Sequence, residues 1–82
     1  MSDGIIHSVG SVTKSDKERI EVAVKEYKGR RALDIRTWYR EDEGSPWKPG
    51  KGVWIPADLA GDVMGMLANN REHILNSLKV KP

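Results

Sequence analysis

Period-two alternation on both sides of one Lys-Gly pair sets the middle of this chain as an antiparallel hairpin. From Arg19 to Tyr27, Ile20, Val22 and Val24 fall on one side, while Glu21, Ala23, Lys25 and Tyr27 fall on the other. That is the pattern of a half-buried strand. Lys28-Gly29 supplies a two-residue turn, and alternation resumes with Leu33, Ile35 and Thr37 opposed to Ala32, Asp34, Arg36 and Trp38. After Tyr39, the run from Glu41 to Pro46 and the segment Pro49-Gly50-Lys51-Gly52 read as a polar loop with turn chemistry at both ends, followed by a short strand Val53-Trp54-Ile55. Ile5, Ile6, Val9 and Val12 suit an earlier strand interrupted by glycine and serine, so residues 1–15 stay open between a first strand and a partly flexible segment.

The C-terminal third changes period. Pro56 suits a first helical position and Asp58 the positive end of a helix dipole. Leu59, Val63, Met66, Leu67, Ile74, Leu75 and Leu78 then recur at helical spacing. One amphipathic helix over 56–79 is expected, with a weak point at Asn69-Asn70, across which the apolar spacing stays in phase. Gly61 and Gly65 would let two such helices approach closely. The expected organisation is one domain over 1–82, with a sheet over 18–55; the dozen N-terminal residues and Val80-Lys81-Pro82 are candidates for fraying.

Eighty-two residues make a small core, for which dimerisation is the expected remedy. The absence of cysteine excludes a disulfide framework, a thiolate zinc site and a cysteine nucleophile. With 38% hydrophobic and 32% charged residues, the chain is too apolar for disorder and nowhere apolar enough for a membrane span. Met1 to Gly10 lacks the charged and apolar regions of a secretory signal, so a cytoplasmic location is expected, with nucleoid association left open.

No catalytic pattern emerges. Glu41, Asp42 and Glu43 are adjacent in a Gly-Pro loop, where carboxylates are ordinarily solvated rather than held at a working separation. His7 and His73 lack ligand spacing, Ser8, Ser11, Ser15 and Ser45 lack an evident base, and Gly50-Lys51-Gly52 is too short to cradle phosphate. No enzyme activity, metal, cofactor or small-molecule substrate is expected.

The net charge of +2 says little, but its distribution says more. Between Lys25 and Lys51 eight basic residues stand against five acidic ones, and every aromatic lies from Tyr27 to Trp54. If Ile20, Val22, Val24, Leu33, Ile35, Val53 and Ile55 face the helix, the other sheet face presents Lys25, Tyr27, Arg36, Trp38 and Trp54. Cations neutralise phosphates and rings stack on exposed bases, so such a face suits single-stranded nucleic acid, whereas a duplex hides its base faces. The plain alternative is that the tryptophans form a core and the cations a solvated face. Tyr39 falls by parity on the core side unless a bulge re-aims it.

Three segments in register, Val24-Lys-Glu-Tyr-Lys-Gly-Arg, Leu33-Asp-Ile-Arg-Thr-Trp-Tyr and Lys48-Pro-Gly-Lys-Gly-Val-Trp-Ile-Pro, resemble the single-stranded-DNA-binding domain of the positive cofactor four family, particularly its prokaryotic members. The resemblance spans roughly Glu18 to Leu75. It implies an α+β fold: a curved four-stranded antiparallel sheet followed by a C-terminal helix, forming a homodimer through the helices. It also implies low-specificity binding of single-stranded DNA or melted duplex in support of transcription, replication or repair, with the transcription machinery as a further partner. Tyr27 stands at a stacking position, and Arg30, Arg36, Lys48 and Lys51 at backbone-contacting positions, with Lys28 as an addition. The second stacking ring falls at Tyr39 in an ungapped alignment, whereas strand parity and the prokaryotic pattern favour Trp38. Trp47 is open between a further ring and an incidental loop residue. The family's Ser-rich regulatory region is not matched, so coactivation is not carried over. The rival readings are a protein-interaction module using the aromatic face and a single-stranded RNA binder.

Overall fold

A computed structural model describes residues 4–79. Residues 1–3 and 80–82, including the C-terminal segment expected to fray, lie outside the described residues. The order is β1 (Gly4–Ser15), β2 (Glu18–Tyr27), β3 (Arg30–Tyr39), β4 (Lys48–Pro56), α1 (Ala57–Asn69) and α2 (Arg71–Ser77). The four strands form one antiparallel meander in the order β1-β2-β3-β4.

The hairpin lies where alternation placed it. Lys28 and Gly29 both take positive φ, 52° and 78°, the combination that a two-residue turn matched to strand twist requires. Pairing then runs without a shift from Tyr27 opposite Arg30 to Glu18 opposite Tyr39. Two faces follow. One carries Arg19, Glu21, Ala23, Lys25 and Tyr27 beside Arg30, Ala32, Asp34, Arg36 and Trp38; the other carries Ile20, Val22 and Val24 beside Leu33, Ile35 and Thr37. Tyr39 lies on this second face, since no bulge interrupts the β2–β3 register.

Three details differ from expectation. The segment Pro49-Gly50-Lys51-Gly52 belongs to β4 rather than to a loop. β4 is an edge strand, where proline is tolerated because its missing N–H leaves no ladder bond unmade. A Cβ at Gly52 would lie 2.6 Å from the Ile35 carbonyl oxygen and 2.8 Å from Arg36 Cα, so only glycine lets β4 approach here. Secondly, Pro56 closes β4 and precedes the helix by one residue. Thirdly, the helical segment divides at Asn70 into α1 and α2, at the weak point of the pattern. There the Asn70 side chain donates to the Met66 carbonyl at 2.8 Å, offering the backbone an alternative partner.

The expected core is only partly closed. Because α1 follows the edge strand directly, it touches β3 and β4 and neither β1 nor β2. Ile20 and Val53 stay open, and neither helix contains a buried residue. Among the described residues the two buried apolar ones, Ala23 and Ala32, lie instead on the charged and aromatic face. The radius of gyration is 15.1 Å, against about 12 Å for a closed domain of this length.

Candidate nucleic-acid interface

The chemistry of the charged face is organised around Asp34, which is 1% exposed. It sits opposite Ala23 on β2 and Trp54 on β4, at the centre of the face. A lone carboxylate there would be costly, so it is matched on both sides. Lys25 Nζ donates to Oδ2 at 2.8 Å. Arg36 donates through Nε to Oδ2 at 3.1 Å and through Nη2 to Oδ1 at 2.7 Å. Burial by itself raises the Asp34 pKa, but the hydrogen bonds from Arg36 and Lys25, together with their charges, outweigh it and hold the carboxyl below its ordinary value. The same bond raises the Arg36 pKa, against the opposing effect of burial. Arg36 also donates through Nη1 to the Gly50 carbonyl at 2.9 Å, reaching across β4 where Gly52 carries no side chain.

Aromatic rings flank this cluster. The Trp38 ring centroid lies 5.7 Å from Lys25 Nζ. At the turn end, Tyr27 is exposed, with Lys28 Nζ 5.3 Å from its ring centroid and Arg30 opposite it in the hairpin. Trp54 shares a cleft of about 370 Å³ with Tyr27 and Lys25.

At the other end Trp47 is taken up by the protein itself. The guanidiniums of Arg19 and Arg40 lie 4.3 and 4.5 Å from its centroid, within cation–π range. Arg40 additionally donates through Nε to the Asp16 carbonyl at 2.8 Å, tying the loop after β3 to the β1–β2 turn.

Of the expected contact residues, the structure therefore brings Lys25, Tyr27, Lys28, Arg30, Arg36, Trp38 and Trp54 onto one surface. Tyr39 and Lys51 stand apart. The Tyr39 ring would lie 3.4 Å from a Cβ at Gly50, and Lys51 lines a groove of the apolar face with Ile20, Ile35, Thr37 and Val53. Lys48 opens β4 opposite Tyr39, with Nζ 3.8 Å from Glu41. Asp34, Arg19 and Arg40 were absent from the sequence-based set. Asp34 had a readable signal, since an Asp and an Arg two apart on one strand share a face. Among the described residues no cluster of three or more metal-ligating side chains occurs, and no helix is long and apolar enough to cross a membrane.

The family model described as Transcriptional Coactivator p15 (PC4) matches residues 14–64. No curated protein matches the chain. Among solved structures, a PC4 homologue from Burkholderia pseudomallei is 30% identical, covering 88% of this chain and 97% of its own, with a TM-score of 0.64. Its tetragonal crystal form gives 27% identity and a TM-score of 0.65 over 85% of this chain and 98% of its own. A bacteriophage T5 homologue of PC4, described as implicated in recombination-dependent DNA replication, is similar in fold at 22% identity, with a TM-score of 0.53 over 99% of this chain and 100% of its own.

Proposed function

Since the chain belongs to the transcriptional coactivator p15 (PC4) family, we propose that it is a DNA-binding protein whose charged, aromatic sheet face takes single strands or melted duplex with low sequence specificity. The observation that carries this reading is the convergence on one face of open rings, Tyr27 and Trp54, with a cation cluster that Asp34 only half neutralises. Phosphates meet the remaining positive charge, and bases meet the rings. Lys25, Lys28, Arg30 and Arg36 supply the cations of that face and Tyr27 and Trp38 the main stacking surfaces, while Lys48 and Lys51, on the opposite side of β4, are left out of the contact set. Nothing in this role calls for a catalytic step. A DNA ligand puts the work of the protein in the cytoplasm, at the nucleoid, in support of transcription, replication or repair.

The working unit in this reading is a homodimer. The chain exposes 6705 Å², whereas a folded 9.2 kDa monomer exposes about 4,900 Å². The excess, roughly 1,800 Å² per protomer, is of the order that obligate dimers bury. Leu59, Met66, Leu67 and Leu75 supply apolar surface for it along the helices.

The test is tryptophan fluorescence during titration with a poly-pyrimidine strand of about 20 nucleotides, longer than one binding site, set against the matching duplex. Saturable quenching by the single strand, weakened by salt and much smaller with duplex, is expected. No response to either would move the function to docking of a protein on this face, and a preference for the ribo-strand would move it to RNA.

A further inference from the structure

We propose that the cleft between Tyr27 and Trp54 anchors one unstacked nucleobase of the bound strand, with Trp54 as the ring that holds it. This rests on the single-strand reading above and narrows it to one place on the face. The cleft, about 370 Å³, is lined by Gly4, Lys25, Glu26, Tyr27 and Trp54. Both charged members are engaged elsewhere. Lys25 Nζ is drawn to Asp34 at 2.8 Å, and Glu26 accepts from Arg31 Nε at 3.0 Å. The surface left to a ligand is ring and aliphatic stem.

Trp54 on β4 pairs with Asp34 and Tyr27 on β2 pairs with Arg30, and the one β3 residue of this face between those two pairs, Ala32, contributes only a methyl. A tryptophan serving only to pack the sheet would be expected to bury its ring, yet Trp54 keeps 40% and Tyr27 54% of its surface open. The rim is cationic: Lys28 lies beside the Tyr27 ring and Arg30 opposite Tyr27. An apolar slot bounded by two rings, with cations at its mouth, matches a flat heterocycle carried on a phosphodiester, because the base stacks while its flanking phosphates meet the rim.

The test is Trp54→Leu, which keeps an apolar side chain at this place on β4 but removes the flat ring, titrated with a thymidine oligonucleotide. Affinity is expected to fall by about 5- to 140-fold, the equivalent of one base's stacking. The salt slope should stay unchanged, since no cation is lost, and the variant should still unfold in one cooperative transition. Unchanged affinity in Trp54→Leu alongside a loss in Tyr27→Leu would overturn the anchor and leave the single-strand reading standing. No loss in either would overturn both. Ultraviolet cross-linking of the wild-type protein to a 4-thiothymidine oligonucleotide keeps the question open to refutation should Trp54→Leu misfold. An adduct mapped to Trp54 supports the anchor, and adducts confined to Tyr27 and Trp38 refute it.

Discussion

Asp34→Asn tests whether the centre of the charged sheet face is a structural ion cluster. The change keeps shape but removes a carboxylate that accepts three charge-assisted bonds, from Lys25 Nζ and from Arg36 Nε and Nη2. Removing one partner of a buried ion pair costs about 3–5 kcal/mol, chiefly because the other charge is stranded. Here the stranded side chains are 18% and 24% exposed and reach water by small rotations, which places the cost near the lower end, about 3 kcal/mol. For a chain of this size that is a fall in Tm of roughly 12–24 °C. It should be followed by circular dichroism at fixed protein concentration, because the proposed dimer would make Tm depend on it. The pH dependence sharpens the test. The folded-state pKa of Asp34 is held below its ordinary 3.8, so its contribution is fully present above that pH and is lost as pH falls through the depressed folded value. Wild type and Asp34→Asn should therefore differ by the full amount at pH 7 and converge in strong acid. A neutral-pH difference below about 1 kcal/mol, the worth of an ordinary exposed pair, would refute the reasoning.

Other outcomes follow from the same geometry. If a dimer neutralises about eight phosphates, log K should fall with log salt at a slope of about −5 to −6, and Arg30→Ala should make it shallower by about 0.7 per protomer. Gly52→Ala places a methyl against the Ile35 carbonyl and Arg36 Cα, so urea unfolding should show a loss of about 1–3 kcal/mol. Trp47→Leu removes contacts to Arg19 and Arg40, which should lower stability by about 1–2 kcal/mol while oligonucleotide affinity changes little. Sedimentation should give a dimer, and a stable 9.2 kDa monomer would contradict the homodimer.

Much of the fold was legible in the residues because it depends on neighbours along the chain. Alternation from Arg19 to Trp38 settled the hairpin, its turn and the two faces, and helical spacing after Pro56 located the helices and their weak point at Asn70. A strand's side-chain period is a local property, so face membership of Lys25, Tyr27, Arg36 and Trp38 followed from it. β4 was legible only in part, since Pro49, Gly50 and Gly52 carry turn chemistry and their tolerance in a strand depends on its lying at the sheet edge.

Contacts between strands were decided only by the tertiary structure. That Asp34 is the most buried side chain, that it claims both Lys25 and Arg36, and that Trp54 shares a cleft with Tyr27 all depend on β2, β3 and β4 being set side by side in one register. Trp47 was ambiguous until the loop after β3 folded against Arg19 and Arg40. Periodicity along a strand assigns a side chain to a face, but its partners, and so whether its charge or ring is spent on the fold or left for a ligand, are set by residues distant in sequence.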